Sequence, residues 1–275
     1  MIGSVPSIKW FDRESGDLRR FLRFETGWIG TTPPVHLNRE QEILVFPLTD
    51  FESRTSLGVL CLDEGRWERA GSLPDPYHQS LDEGSGGFAA FYYAGLVAPF
   101  DSSEVVVGLS GSETLFRFDV SEGTGSPLGR VPHRFRRGAR DDLWRNFDIP
   151  SEYGTGMPFS WASTMMSMGR LSDGRIAVVH VDQEYEGTPP ALHLTGTHYL
   201  TVLDPSTDVA CIDIPVPGGN ESRAVVAIQN DHLYLLDRRI VGMDSEVWML
   251  RLPVPSMDDC PSAHRGGGWL ANAPP

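Results

Sequence analysis

Histidines and carboxylates crowd one stretch of the chain. His180, Asp182, Glu184 and Glu186 are followed closely by His193 and His198. Such residues do acid–base or metal chemistry when several of them converge on one cavity. The run RIAVVHVDQ reads as a strand, and its alternation puts His180 and Asp182 on one face. His180, Asp182 and Glu184 are therefore the candidate catalytic set. The spacing fits no zinc pattern, and HLTGTH sets His193 and His198 five apart in an expected loop. The competing reading is plain strand-edge or hairpin histidines.

A second concentration is cationic. In RVPHRFRRGARDDLWRNFDIPSEYGTGMPFSW, residues 130–161, five arginines fall between Arg130 and Arg140. Asp141 and Asp142 can cap a short helical turn that gathers Leu143, Trp144 and Phe147 on one side. Arg134, Arg136, Arg137, Arg140 and Trp144 are the candidate ligand-binding set, suited to a carboxylate, a phosphate or a peptide. The alternative is a surface loop whose arginines pair with neighbouring acids.

Other motifs resolve into architecture. GLSGS at residues 108–112 has the wrong spacing for a nucleophile elbow, and no helix follows it. DPSTD at residues 204–208 lacks the length and glycine of an EF-hand loop and reads as a hairpin. NES at residues 220–222 matches a glycosylation acceptor only in a eukaryotic secretory setting. Met165, Met166 and Met168 beside Trp161 read as packing. No phosphate-binding loop, dinucleotide fingerprint or paired CxxC occurs, so no cofactor is evident.

The formal net charge of −14 over 275 residues disfavours nucleic acid and anionic membrane surfaces as partners. The arginine cluster does not offset it. Lys9 is the only lysine. No apolar stretch has membrane-spanning length. The first residues show no signal-peptide pattern, which implies a cytoplasmic protein unless a leader has been removed. Of the three cysteines, Cys61 reads as a buried free thiol. Cys211 and Cys260 either form a disulfide tying the tail to a strand or stay apart; a bond would point to an oxidising compartment.

Twenty-one prolines and twenty-nine glycines suit a chain of frequent turns. Strand-like runs fall into four groups, at residues 43–73, 87–132, 164–217 and 223–254, each of three or four strands. An N-terminal hairpin, SIKWFD and LRRFLRF around RESGD, precedes them. Groups recurring at about 40 residues or more are the signature of propeller blades, whose faces are covered by their neighbours. A two-sheet sandwich would need fewer strands or two domains. The expected fold is thus all-β, a β-propeller of four-stranded antiparallel blades over residues 1–255. A Gly/Pro-rich tail, residues 256–275, follows; it is expected to be flexible unless Trp269 docks.

The hairpin pairs GRIAVVHVDQ…THYLTVLDPSTDVACIDIPVP and RAVVAIQNDHLYLLDRR…EVWMLRLPVP, with TLFRFDVSEGTGSPLGRVP, resemble bacterial six-bladed β-propellers of the TolB-like and NHL-like kind. The resemblance covers most of residues 57–254. It implies six blades with degenerate or missing strands, or a five-bladed or truncated relative, with residues 18–24 supplying the last blade's missing strand. Propellers host many functions. One expectation is a non-catalytic module binding a protein, peptide or small anionic ligand on one face. The other is an enzyme of the lactonase or strictosidine-synthase-like class, with carboxylates, asparagines or histidines, often around calcium, in a central channel.

Overall fold

The computed structural model describes residues 7–11, 14–23, 28–29, 35–38, 43–50, 55–62, 64–72, 95–132, 164–188, 191–217, 223–241 and 244–270. Among them every extended element is a β-strand, and the one helical piece is a 3-10 turn, Ser262–His264.

The N-terminal hairpin forms as expected from β1 (Ser7–Phe11) and β2 (Leu18–Arg23). Four larger antiparallel sheets follow. The first joins β3 (Trp28–Ile29), β4 (Val35–Asn38), β5 (Ile43–Asp50), β6 (Thr55–Cys61) and β7 (Arg66–Ser72). The second is β8 (Gly95–Pro99), β9 (Glu104–Leu109), β10 (Thr114–Asp119) and β11 (Thr124–Arg130). The third is β12 (Thr164–Arg170), β13 (Ile176–Thr188), β14 (Ala191–Asp204), β15 (Val209–Pro215) and β19 (Arg265–Gly267). The fourth has β16 (Arg223–Gln229), β17 (His232–Val241) and β18 (Asp244–Pro253).

Core composition shows how these sheets stack. Val45 and Leu57 of the first sheet share a buried cluster with Val97, Val105 and Phe118 of the second. Val106 and Leu115 of the second share another with Met165, Ile176 and Val178 of the third. The opposite face of the third, Ala177, Val179 and Val202, packs on Leu233 and Leu235 of the fourth. Alternation along β13 sends Val178 to one neighbour and Val179 to the other. A sheet covered on both faces reads as a continuous apolar run, which is why RIAVV lacks clean polar alternation. The opening strands β5, β8, β12 and β16 adjoin in succession. Face-to-face sheets with adjoining first strands are the architecture of a β-propeller.

Close approach of those first strands requires small residues. A Cβ at Gly169 of β12 would lie 2.8 Å from the Ile228 carbonyl oxygen and from its Cβ on β16. That is below any normal carbon contact and involves backbone.

Two expectations change. β2 pairs with β1 in a separate two-stranded sheet, rather than supplying a fourth strand to the last group. His193 and His198, expected in a loop, lie within the fourteen-residue β14. Within the expected tail Trp269 docks: β19 pairs with β15, and Trp269 is buried in the cluster between the second and third sheets.

Candidate functional site

The third sheet holds a sealed polar cluster. His180 on β13 sits opposite Tyr199 on β14, and their rings stack with centroids 5.5 Å apart. Nε2 of His180 lies 3.1 Å from Oδ1 of Asp213, and both side chains are fully buried. Asp213 reaches this position through a bulge. Leu200 pairs with Ile214 and Val202 with Cys211, so Thr201 faces two residues of β15. Asp213 takes a left-handed backbone, φ 53°, and its N–H donates to Thr201 Oγ1 at 3.2 Å. Aspartate is one of the few residues that tolerate this conformation.

The C-terminal segment clamps the bulge from outside. Cys211 and Cys260 form a disulfide with Cα atoms 5.8 Å apart. His264 Nδ1 donates to the Ile212 carbonyl at 2.7 Å. Beyond β19, the Arg130 N–H donates to the Trp269 carbonyl at 2.8 Å, and the Leu270 N–H donates to Asp208 Oδ1 at 2.8 Å. The segment therefore straps the third sheet to the second. A buried imidazole–carboxylate pair of this kind offers no exposed atom to a substrate.

Of the expected catalytic set, His180 is in this cluster, and Asp182 is half-buried two positions along β13 on the same face. The partner that meets His180 is Asp213, which is not in the expected set. A single carboxylate in the apolar run VACIDIP was its only sequence signal. Glu184 and Glu186 belong to β13, paired with Thr195 and His193, and their side chains lie outside the described set. Register places His193 and His198 on opposite faces of β14, so they do not converge; His198 is buried. Among the described residues no group of three His, Cys, Asp or Glu side chains is arranged as a cation site. No helix among them is long and apolar enough to cross a membrane. Arg134, Arg136, Arg137, Arg140 and Trp144 fall between β11 and β12, outside the described residues, as do Trp161 and residues 220–222.

Among the smaller expectations, GLSGS is the β9–β10 turn, with Ser110 and Ser112 buried. Met165 and Met168 are core, whereas Met166 is 38% exposed. Cys61 is in no disulfide and is half-buried rather than buried.

The hairpin turns are tied by aspartates. Asp119 accepts from Ser121 Oγ and the backbone of Ser121 and Glu122, which hold its carboxyl below the ordinary range despite slight opposition from burial. Asp231, in the β16–β17 turn, accepts from the side chain and N–H of Ser172 in the β12–β13 turn. Those bonds, chiefly the hydroxyl one, lower its carboxyl too. This ties the third and fourth sheets at one end.

At the other end, among the described residues, β16 pairs with His232–Asp237 of β17 alone, and residues 238–241 pair with residues 244–247 as a two-stranded ribbon. Residues 182–188 and 191–197 form a second ribbon at the same end of the third sheet. At the base of the first ribbon, Val247, Trp248 and Met249 are 59%, 55% and 62% exposed. Three consecutive exposed large apolar residues on a strand put apolar surface on both of its faces. Among the described residues, β18 is paired on one side only, with β17. An edge strand of this composition is a template for adding another strand.

No family model and no curated protein matches the chain. Among solved structures, the chain is similar to one in "Crystal Structure of Mitotic Checkpoint Complex", at 12% identity over 84% of this chain and 85% of that one, with a TM-score of 0.29. Identity and score at that level carry neither fold nor function.

Proposed function

We propose that the protein is a non-catalytic β-propeller interaction module that holds an extended segment of a protein partner at the β18 edge. The exposed Val247–Trp248–Met249 run, on a strand paired on one side only among the described residues, carries this reading. An edge supplies main-chain hydrogen bonds, and alternate side chains supply selectivity. Within propellers, the strand pattern of residues 57–254 supports placement beside the six-bladed TolB-like and NHL-like kind. Arg134, Arg136, Arg137, Arg140 and Trp144 form a second proposed contact, for carboxylate or phosphate groups. The lactonase- or strictosidine-synthase-like alternative, with calcium, would need a site other than His180 and Asp213, whose side chains are sealed.

An array of immobilised extended peptides of varied charge tests the main reading. The wild-type chain should capture a subset of them, and Met249→Asp should lose that subset while melting at an unchanged temperature. Capture of no peptide, or capture indifferent to the substitution, would overturn it. The arginine contact is tested by titrating a polyglutamate peptide. Replacing the four arginines with alanine should abolish binding, and unchanged affinity removes the contact.

A further inference from the structure

The C-terminal strap is anchored by few side chains. Of residues 257–270 only Cys260 and Trp269 are buried, and Cys260 is half of the disulfide to Cys211. The described hydrogen bonds from strap to sheets are few. They comprise the three residue pairs of β19 with β15, the His264–Ile212 bond, and the bonds of Gly268, Trp269 and Leu270 to Asp208 and Arg130. Its middle is Gly266, Gly267 and Gly268, the residue type that loses most conformational freedom on ordering. A segment costly to order and fixed at two buried side chains depends on both. The sheet beneath it does not: β12, β13, β14 and β15 pair with one another through their own ladders.

We infer that the Cys211–Cys260 disulfide is a redox latch: the strap stays on the outer edges of the second and third sheets while the bond is oxidised, and comes away when it is reduced. A dithiol supplies the electrons. Cys260 is the sulfur it attacks, because Asp258, Asp259, Pro261 and Ser262 around it are exposed, whereas Cys211 is enclosed within β15. The incoming thiolate bonds to Cys260 Sγ, and the electron pair of the broken bond leaves with Cys211 Sγ, which takes up a proton. The donor's second thiol then displaces Cys260 Sγ, so the donor ends as a disulfide and the chain as two thiols. Release turns the main-chain groups of Val209–Cys211 that now pair with β19 outward, and vacates the Trp269 site between the second and third sheets. An oxidising compartment closes the latch and a reducing one opens it. The latch operates whatever binds at β18.

Trypsin reads the latch at Arg265, which lies in β19. With the full chain well below its melting temperature, mass spectrometry follows release of the peptide 266–275 with and without dithiothreitol. Maleimide tagging of denatured samples should count one thiol before reduction, Cys61, and three after it. The oxidised chain should resist the cut. The reduced chain should lose the peptide at least about tenfold faster, because cleavage of a locally opened segment tracks its open population. A Cys211→Ala/Cys260→Ala chain should be cut at the reduced rate whether or not the reductant is present. Cleavage after Arg170, in β12, should not accelerate, since the sheet itself stays paired. A disulfide that survives dithiothreitol until the chain unfolds, or a reduced chain as resistant at Arg265 as the oxidised one, would overturn the latch. So would equal acceleration at Arg170, which would mean that the whole sheet opens.

Discussion

At the residue scale, the third sheet is organised by a buried carboxylate. Removing one member of a buried polar pair leaves the other unsatisfied, at a cost of about 1–3 kcal/mol and more for a charged group, whereas replacing both with apolar groups is often nearly neutral. His180→Leu and Asp213→Leu should therefore each lower stability in urea titrations by a few kcal/mol, and the double substitution should recover a large part of the loss. Additive losses would show that the pair acts independently. Asp119 and Asp231 give a separate prediction. Both carboxyls are lowered in the folded chain, so the stability they contribute is fully present above the unfolded carboxylate value, about 3.9, and is lost as pH falls through the folded one. Stability should fall below about pH 4, with a shallower fall in Asp231→Asn. An unaltered slope would dismiss the Ser172 tie. The DPSTD hairpin was legible because D-x-S/T between strand runs is local chemistry, Asp204 accepting from Ser206 and Thr207; the Asp231–Ser172 tie, 59 positions apart, was not. Asp213 was not, because its partner lies on another strand and its bulge comes from pairing rather than composition.

At the element scale, the sequence located most strands of the four groups, since four to eight apolar residues between turn residues are a sufficient signal. Three strands escaped it. Trp28–Ile29 and Val35–Asn38 are too short, and too close to GTTPP, to show a period. Arg265–Gly267 is two glycines and an arginine with no strand propensity, held in place by β15, the disulfide and Trp269. The glycines explain how that strap lies so close. A Cβ on Gly129 would collide with the Trp269 carbonyl and come within 3.0 Å of Leu270 Cα. Gly129→Ala should thus loosen the strap, seen as increased acrylamide quenching of Trp269 fluorescence in a variant lacking the other tryptophans. Quenching equal to the parent would show that the strap does not depend on this approach. The disulfide closes a loop spanning 49 positions. Chain entropy values such a link at about 4 kcal/mol, so Cys260→Ser should lower the melting temperature by several degrees. An unchanged melting temperature would leave β19 pairing and Trp269 as the whole anchor.

At the scale of the molecule, stacking uses both faces of the second and third sheets and leaves the fourth with an open edge among the described residues. The architecture was legible from group spacing. The edge was not, because EVWMLRLPV has the pattern of any blade strand, and only its position in the assembled fold exposes Val247, Trp248 and Met249. In the proposed function this edge receives another strand. Hydrogen exchange of the full chain with and without an extended peptide captured on the array is the direct test. New amide protection should concentrate in residues 244–249, with little change elsewhere. Binding accompanied by protection at another site, and none along β18, would contradict it.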